Sequence, residues 1–316
     1  MKEIKIWFCD FWPNFNKDDN YIINILKKHY IIKLEKHIPD YIFYSNFGYN
    51  FLKFKGIKIW CNGENVFPNF NLCDYAISCH DIKIDNNRYF KLPVYMLKGN
   101  NLIEEKDKIV KENDLKNKNK FCNFIYDNKK GDIFRKYFFI ELSKYKKVDS
   151  AGKFLNNTGF VTNKKLELQK QYKFTIAFEN ESYYGYCTEK IMDAFFSKTI
   201  PIYWGDPYIE NDINSKAFIN IKSKNNIKEV IDQIKEIDNN DSLWLEIVNQ
   251  PIFNKSHFIQ NKKKDLEKFL LQLIENGKKQ VPNSIEAKRV SFIVNHGNKI
   301  INLKHKLHKI KVEKWI

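Results

Sequence analysis

The side chains best suited to chemistry are concentrated between Phe178 and Gly205, in the segment FENESYYGYCTEKIMDAFFSKTIPIYWG. This segment contains carboxylates, an asparagine amide, tyrosines and an adjacent Glu189-Lys190 pair. A polar, glycine-containing loop between a strand and the start of a helix is where open α/β sheets bind nucleotides. The free N–H groups of a helix start and the ammonium of Lys190 suit a pyrophosphate, and Glu189 can accept hydrogen bonds from ribose hydroxyls. The segment therefore predicts a nucleotide diphosphate site.

Three elements must position these side chains. Tyr172–Phe178 (YKFTIAF) is β-branched and aromatic, which predicts a strand. From Glu189 to Ser197 the apolar residues recur at helical spacing, and Thr199–Trp204 is a second apolar run that ends at Gly205. The pattern predicts a strand, loop, helix and strand in succession.

A second candidate lies in the segment CNGEN, where Glu64 follows the apolar run Ile57–Trp60. If that run is a parallel strand, Glu64 projects from a turn at its carboxyl end, which is the ligand-binding edge of an α/β sheet. A carboxylate there suits a general base that takes a proton from a hydroxyl group. The alternative is a solvated carboxylate in an ordinary turn, which residue spacing alone favours.

Arg135 is the third candidate and lies near the start of a predicted helix, Ile133–Ser143. The chain has three arginines (Arg88, Arg135 and Arg289) and 51 lysines. A retained arginine in such a chain indicates a place where lysine would not serve. The alternative is that Arg135 is an exposed surface residue with no specific role, as is usual for an isolated arginine at a helix start. Arg88 is interpreted as structural.

Composition limits the classes of function. The 316 residues suffice for two domains, and the formal net charge is +16. Lysine supplies nearly all of the basic residues, whereas bidentate recognition of phosphates and bases favours arginine. We therefore expect no nucleic-acid partner. The basic surface favours anionic partners such as a nucleotide sugar or an anionic lipid.

The six cysteines lack any C-x-x-C pair, and no D-x-D motif occurs in the sequence. We therefore expect no metal site. Scattered thiols with apolar neighbours are typical of a reducing compartment. The N-terminus reads as a strand rather than a signal peptide, and no apolar run approaches the ~18 residues of a membrane-spanning helix. These features predict a cytoplasmic protein.

The sequence predicts a first helix over Ile22–Tyr30, a strand over Tyr41–Tyr44 and, in the second half, a strand over Ala217–Ile221. Alternating apolar runs and helical segments of this kind predict a parallel, doubly wound sheet over residues 1–97, followed by a charged, apolar-poor linker from Lys98 to Lys120. A second α/β unit begins at Phe121 and ends in amphipathic helices. We place the domains at residues 1–117 and 118–284, with a basic tail over 285–316. The tail is predicted either to pack as a terminal helix or to lie as a basic amphipathic helix on an anionic membrane surface.

Three of these segments together resemble the α-1,3/4-fucosyltransferase family. The family's donor motif runs F-E-N-(S/T), G-Y-(V)-T-E-K and I-P-I-Y-W-G, and this chain departs from it at Glu181 and Cys187. The segment after Ile57–Trp60 is similar to the family's G-E-N…P-N-F…D-Y-A motif. A K-x-V-D-like segment also follows the helix that carries Arg135.

The resemblance implies a GT-B fold, in which two Rossmann-like domains face a cleft. The N-terminal domain (1–117) is expected to bind the acceptor and the C-terminal domain (118–284) to bind GDP-fucose. It also implies an inverting transfer of L-fucose from GDP-β-L-fucose to a GlcNAc-containing glycan such as N-acetyllactosamine, with an α-1,3 linkage. Such transfer builds Lewis-type antigens or surface glycans. The alternatives are a catalytically silent glycan-binding protein of the same fold and a glycosyltransferase with a different acceptor.

The same resemblance assigns roles to individual residues. Glu64 is expected to be the catalytic base, and Glu179 either stabilises charge on the sugar or forms structural hydrogen bonds. No obligatory metal is expected, and a divalent cation is expected at most to stimulate. The donor-binding residues are expected to be Arg135, Asn180, Tyr186, Glu189 and Lys190.

Overall fold

The computed structural model describes residues 1–83, 87–97 and 109–279, together with Arg289. Within them, the strands form two sheets with parallel pairing. The first sheet consists of β1 (Glu3–Cys9), β2 (Ile31–Leu34), β3 (Tyr41–Tyr44), β4 (Ile57–Asn62), β5 (Tyr75–Ser78) and β6 (Tyr89–Lys91). The second sheet consists of β7 (Lys120–Asn123), β8 (Val148–Asp149), β9 (Tyr172–Phe178), β10 (Ile200–Trp204) and β11 (Ile219–Asn220).

Helices connect and cover these strands. Their bounds are α1 (Tyr21–Leu26), α2 (Glu112–Leu115), α3 (Phe134–Ser143), α4 (Lys165–Gln169), α5 (Glu189–Phe196), α6 (Ile227–Asp238), α7 (Asp241–Val248) and α8 (Phe258–Asn276).

The two sheets share one strand order. The first runs β2-β1-β3-β4-β5-β6 and the second, read in the reverse direction, runs β8-β7-β9-β10-β11. In each half the first strand therefore lies next to one edge of the sheet, and the chain reverses direction between its first and third strands. Ligands of open α/β sheets bind beyond the carboxyl ends of the strands at such a reversal. The predicted pair of doubly wound α/β units is confirmed.

Alternation along the central strands explains why both faces of the second sheet are covered. In β10, Ile202 packs with the core on the side of α3 and α6, whereas its neighbour Tyr203 packs with the core beneath α5. Successive side chains of a strand point to opposite faces, so an uninterrupted apolar strand requires helices on both sides. The predicted strand Tyr172–Phe178 has the bounds that the sequence indicates.

The long helix α8 packs against the first sheet, although it follows the second in the chain. Leu266, Leu270 and Leu273 are buried with Ile6 and Ile77 in the core of the first sheet. The amphipathic face of α8 is as predicted. The sequence-based division places α8 within residues 118–284 of the second domain, whereas its apolar face completes the core of the first.

Several element ends differ from the predictions. The first helix ends at Leu26 rather than Tyr30, because the chain then tightens into a turn in which the His29 N–H donates to the Leu26 carbonyl, three residues back, at 3.0 Å. The predicted strand Ala217–Ile221 shortens to Ile219–Asn220. Residues 98–108 of the predicted linker and the tail (285–316, apart from Arg289) lie outside the described residues. The rest of the predicted linker, residues 109–120, is described and contains α2 and the first residue of β7. No helix of the described chain combines the length and apolar character needed to cross a membrane.

Candidate active site

A cleft of about 260 Å³ lies between the two sheets, where the carboxyl ends of their strands face each other. The predicted residues Glu64, Asn180, Tyr186, Glu189 and Lys190 all line it, although they come from two distant parts of the sequence. The first sheet contributes Trp12, Phe47, Asn62, Gly63, Glu64 and Val94, and the second contributes Asn180, Tyr186, Thr188, Glu189 and Lys190.

Glu64 occupies a turn that Asn62, the last residue of β4, holds in place. The Asn62 side chain accepts a hydrogen bond from the Glu64 N–H at 3.1 Å and donates one to the Glu64 carbonyl at 3.2 Å. The Glu64 side chain is exposed, and its carboxylate forms no hydrogen bond or ion pair with any residue that the structure describes. The backbone is therefore fixed while the carboxylate is available for proton transfer in the cleft.

The opposite wall is organised by Glu179, a fully buried carboxylate at the end of β9. Its Oε1 accepts a hydrogen bond from the Thr188 N–H at 2.7 Å, and its Oε2 accepts from the Thr188 hydroxyl at 2.7 Å. The Lys190 ammonium donates to the same Oε2 at 3.0 Å. These contacts hold the start of α5 in the cleft and favour the structural interpretation of Glu179.

Lys190 is a stable cation at this helix start. Burial lowers the pKa of its ammonium, but the charges of Glu179 and Glu189 outweigh burial and raise the pKa above its ordinary value. The Glu189 carboxylate lies 3.7 Å from the Lys190 Nζ. The positive charge that the sequence predicts for a diphosphate is therefore present, and two carboxylates already balance it.

Arg135 lies behind the cleft wall rather than in it. It is 1% exposed, and its Nε donates to the Glu179 carbonyl at 2.9 Å. Its Nη2 donates to the Phe178 carbonyl at 3.2 Å and to the Asn180 Oδ1 at 2.6 Å. Its Nη1 is buried with no hydrogen-bond partner among the described residues. Arg135 thus orients the Asn180 amide, and its predicted contact with a donor diphosphate stays a prediction.

Tyr186 and Glu189 complete the predicted donor wall. Burial and the nearby Glu179 charge raise the pKa of the Tyr186 phenol well above its ordinary range, so it stays protonated and can donate a hydrogen bond. Glu189 is the first residue of α5 and lines the cleft, as a ribose partner would. Their predicted ligand contacts stay predictions.

The two walls also touch each other beside the cleft. The Asn65 Nδ2 donates to the Glu181 Oε2 at 2.7 Å, and the ring of Phe67 packs edge-on against Tyr183 at 5.0 Å between centroids. Asn65 in turn pairs with the buried His80, whose Nε2 lies 3.0 Å from the Asn65 Oδ1. Glu181, where the sequence departs from the family motif, therefore forms a hydrogen bond across the two domains.

Sequence reasoning missed several cleft residues. Trp12 and Phe47 follow β1 and β3, and Asn62 ends β4. The aromatic-rich segment DFWPN directly after the first strand was the available signal, since the carboxyl ends of strands form the binding edge. Arg88 is structural as interpreted, because its guanidinium donates to backbone carbonyls of Phe70, Cys73 and Asp74.

The described part of the chain contains no group of three or more His, Cys, Asp or Glu side chains arranged to hold a metal ion.

Two Rossmann-like sheets that face a cleft, with an available carboxylate on one wall and a cationic helix start on the other, define a glycosyltransferase of the GT-B class. Family comparison agrees in both halves. Residues 6–98 match the alpha-(1,3)-fucosyltransferase FucT N-terminal domain, and residues 115–274 match the C-terminal part of glycosyltransferase family 10 (fucosyltransferase). The chain belongs to glycosyltransferase family 10.

Individual relatives support the same placement. The chain is 32% identical over 294 residues to alpha-(1,3)-fucosyltransferase FucT of Helicobacter pylori, which covers 80% of this chain and 61% of that protein. It therefore spans less than two thirds of that relative's length. A crystal structure of alpha1,3-fucosyltransferase superimposes with a TM-score of 0.76 at 28% identity, covering 90% of this chain and 93% of that one. A structure of alpha1,3-fucosyltransferase with GDP-fucose gives a TM-score of 0.74 at 28% identity, covering 90% and 94%.

Proposed function

We propose that this protein transfers L-fucose from GDP-β-L-fucose to a hydroxyl of a GlcNAc-containing glycan, with inversion and an α-1,3 linkage. The observation that carries the proposal is the cleft itself, in which Glu64 faces the start of α5 and Lys190 from the other domain. The similarity to alpha1,3-fucosyltransferases, including one solved with GDP-fucose, supports the choice of donor and linkage.

Inversion requires one displacement. The Glu64 carboxylate takes the proton of the acceptor hydroxyl, and the hydroxyl oxygen forms a bond to the anomeric carbon of fucose. The bond from that carbon to the diphosphate breaks on the opposite side, and GDP leaves with the electron pair. One base suffices for this reaction, which is consistent with a single available carboxylate on the first wall.

The leaving GDP gains negative charge on its diphosphate. The start of α5 offers N–H groups that have no partner within the helix, together with the positive end of the helix dipole, and Lys190 adds its ammonium. The buried Arg135 contributes a further positive charge behind Asn180. Fixed positive groups of this kind stabilise charge that develops in the transition state without having to reorganise.

We further propose that catalysis needs no obligatory divalent metal, because these fixed groups perform the neutralisation. Turnover is expected to persist in excess chelator, with at most modest stimulation by Mn²⁺ or Mg²⁺. An enzyme that is inactive in chelator and recovers only with a divalent metal would overturn this part of the proposal.

The activity is tested by incubating the purified protein with GDP-fucose and N-acetyllactosamine. We expect GDP release and a product whose mass increases by one fucose, with linkage analysis showing an α bond to the 3-hydroxyl. Donor binding with no product from any glycan of an acceptor panel would instead identify a silent glycan-binding protein. If only a different acceptor gives product, the proposal of fucose transfer stands and the proposed acceptor is wrong.

The proposed setting is the cytoplasm, with synthesis of surface glycans such as Lewis-type antigens, lipopolysaccharide or glycoprotein chains. The six cysteines are free and five of them are buried, which suits a reducing compartment. Peripheral attachment to the inner face of a membrane through the basic tail is a separate proposal. Sedimentation of the full chain with anionic and with neutral vesicles tests it, since attachment to neither would refute it.

A further inference from the structure

The first wall of the cleft carries two large aromatic side chains that the proposed chemistry leaves unused. Trp12 is 45% exposed and Phe47 is 50% exposed, and both line the same cleft as Glu64. Large apolar side chains left this accessible in a concave site commonly mark a ligand-binding surface.

Both rings lie where the topology of the first sheet places a ligand. Trp12 follows β1 and Phe47 follows β3, the two neighbouring strands between which the chain reverses direction. Glu64 follows β4, the next strand in the sheet. The two rings and the available carboxylate therefore share one edge of one sheet.

The Trp12 ring is held in place from beneath. It packs edge-on against Phe11 and Phe15, with centroids 5.6 and 5.1 Å away, and those two rings stack on each other at 4.0 Å. Phe15 continues into the core through Phe8, at 5.5 Å. Such a supported ring loses little conformational entropy when a ligand binds to it.

Asp10 connects the loop after β1, which carries Trp12, to the loop after β3, which carries Phe47. Its carboxylate accepts hydrogen bonds from the Asn50 amide and from the Phe51 N–H, both at 2.8 Å, and its carbonyl accepts from the Phe47 N–H at 3.0 Å. Asp10 also has a φ of +58°, in the left-handed region. A residue keeps this conformation when its surroundings fix it, which often occurs at binding sites. These hydrogen bonds therefore fix the positions of Trp12 and Phe47 relative to each other.

The chemistry of the two walls separates their ligands. The second wall presents a helix start, a lysine and carboxylates, which suit a diphosphate and ribose hydroxyls. The first wall presents aromatic rings beside Glu64. A sugar ring has an apolar C–H face and a rim of hydroxyls. Aromatic rings can pack against the C–H face, and one carboxylate can accept hydrogen bonds from the hydroxyls.

We propose that Trp12 and Phe47 form the acceptor subsite, on which a pyranose ring of the glycan packs with its reactive hydroxyl toward Glu64. This inference rests on the proposed function and specifies which residues select the acceptor. Asp10 is a positioning residue for this subsite.

The test compares Trp12→Ala and Phe47→Ala with Tyr137→Ala, a matched removal of a 50% exposed ring on α3, outside the cleft. For each variant, acceptor and donor KM are measured separately, together with GDP affinity and the thermal unfolding midpoint. We expect the acceptor KM to rise about tenfold for either cleft variant, the loss typical of one well-placed aromatic contact. The donor KM, GDP affinity and unfolding midpoint should change little, and Tyr137→Ala should resemble the wild type.

Unchanged acceptor KM in both cleft variants would overturn the subsite while leaving the transferase intact. A parallel loss of GDP affinity would also overturn it, and would assign the rings to the nucleotide. Trp12→Phe, which keeps a ring, should recover most of the acceptor affinity, whereas equal losses in Trp12→Phe and Trp12→Ala would contradict ring packing. If the wild type transfers fucose to no glycan, the proposed function fails first, and that outcome is distinct from either of these.

Discussion

The two walls of the cleft have the same topological origin and opposite chemistry. Both consist of loops at the carboxyl ends of parallel strands that share one order. On the second wall, Glu179 is buried and bonded to Thr188 and Lys190. On the first wall, the Glu64 carboxylate is exposed and unpaired among the described residues, beside the rings of Trp12 and Phe47.

The difference shows that strand order fixes where a site lies, and that the loop residues fix what it does. A carboxylate that is already bonded to an N–H and an ammonium is a poor base, because a proton would cost it those bonds. A carboxylate without such partners can take and release a proton. The first wall therefore suits the reacting hydroxyl, and the second suits a group that is held and then released.

The sharpest test of this division is Glu64→Ala. Loss of a general base lowers turnover by ~10²-fold or more, whereas donor binding to the opposite wall should be nearly unchanged. The measurements are kcat for transfer and the dissociation constant for GDP-fucose. The isosteric Glu64→Gln serves as the control for shape and should be equally impaired. Near-native turnover in both variants would remove the base assignment and leave the donor site standing.

The next largest effect is expected from Lys190→Ala on the second wall. The variant leaves the buried Glu179 without its ammonium partner, so the free energy of unfolding should fall by about 3–5 kcal/mol. Donor affinity and turnover should also both fall, by about 10- to 100-fold, since a charged hydrogen bond contributes ~1.5–3 kcal/mol.

A double variant separates the loss of stability from the loss of donor affinity. Glu179→Gln combined with Lys190→Met removes both charges of the pair, so it should recover part of the stability without recovering donor affinity. Recovery of both would show that Lys190 acts on the donor only by keeping the wall folded. Chemical unfolding and GDP titration provide the two readouts.

A smaller effect is expected where the walls touch. Glu181→Ala removes the bond from Asn65, the neighbour of Glu64, at an exposed position. A hydrogen bond contributes ~0.5–1.5 kcal/mol, which corresponds to about 2- to 10-fold in kcat. Glu181→Gln keeps an oxygen that can accept from Asn65 and should restore turnover. Equal loss in the two variants would mean that turnover depends on the negative charge of Glu181 rather than on its hydrogen bond to Asn65.

A further effect, on stability rather than on turnover, concerns pH and the contact that His80 makes with Asn65. Burial lowers the pKa of His80 from 6.5 to about 4. Between these values the unfolded chain binds more protons than the folded one, so the His80 contribution to stability is present above pH 6.5 and is lost as pH falls toward 4.

The groups that face His80 are Asn65, Phe67 and Tyr183, with Ser78 hydrogen-bonded to its Nδ1 at 3.3 Å. The free energy of unfolding should therefore decrease between pH 7 and pH 4, and His80→Gln should flatten that decrease. Identical slopes in the wild type and the variant would contradict the assignment.

The sequence was most informative where side-chain pattern and local geometry coincide. The runs Tyr172–Phe178 and Tyr41–Tyr44 are strands with the predicted bounds, because their β-branched and aromatic residues fill both faces of a covered sheet. The helix after Thr188 was predicted from the same kind of local signal. Such elements depend on residues that are close together in the sequence, and they can be predicted without knowledge of the fold.

The packing of α8 could not be read in this way. Its apolar face was evident from Leu266, Leu270 and Leu273, but an amphipathic helix does not specify which sheet it covers. The chain order suggested the second domain, and the structure packs only the start of the helix (Phe258 and Ile259) there and the rest of its apolar face on the first. The contact between Asn65 and Glu181, 116 positions apart, is equally invisible to residue spacing.

By itself, the sequence determined the strands that have long apolar runs, the helix start at Glu189 and the candidates Glu64 and Lys190, because each follows from residue types within a few positions. Only the tertiary structure brought Glu64 and Lys190 to one cleft, moved Arg135 behind it and exposed Trp12 beside it. Those outcomes depend on how the two sheets face each other. That arrangement is set by many weak contacts distant in sequence, which a local pattern does not encode.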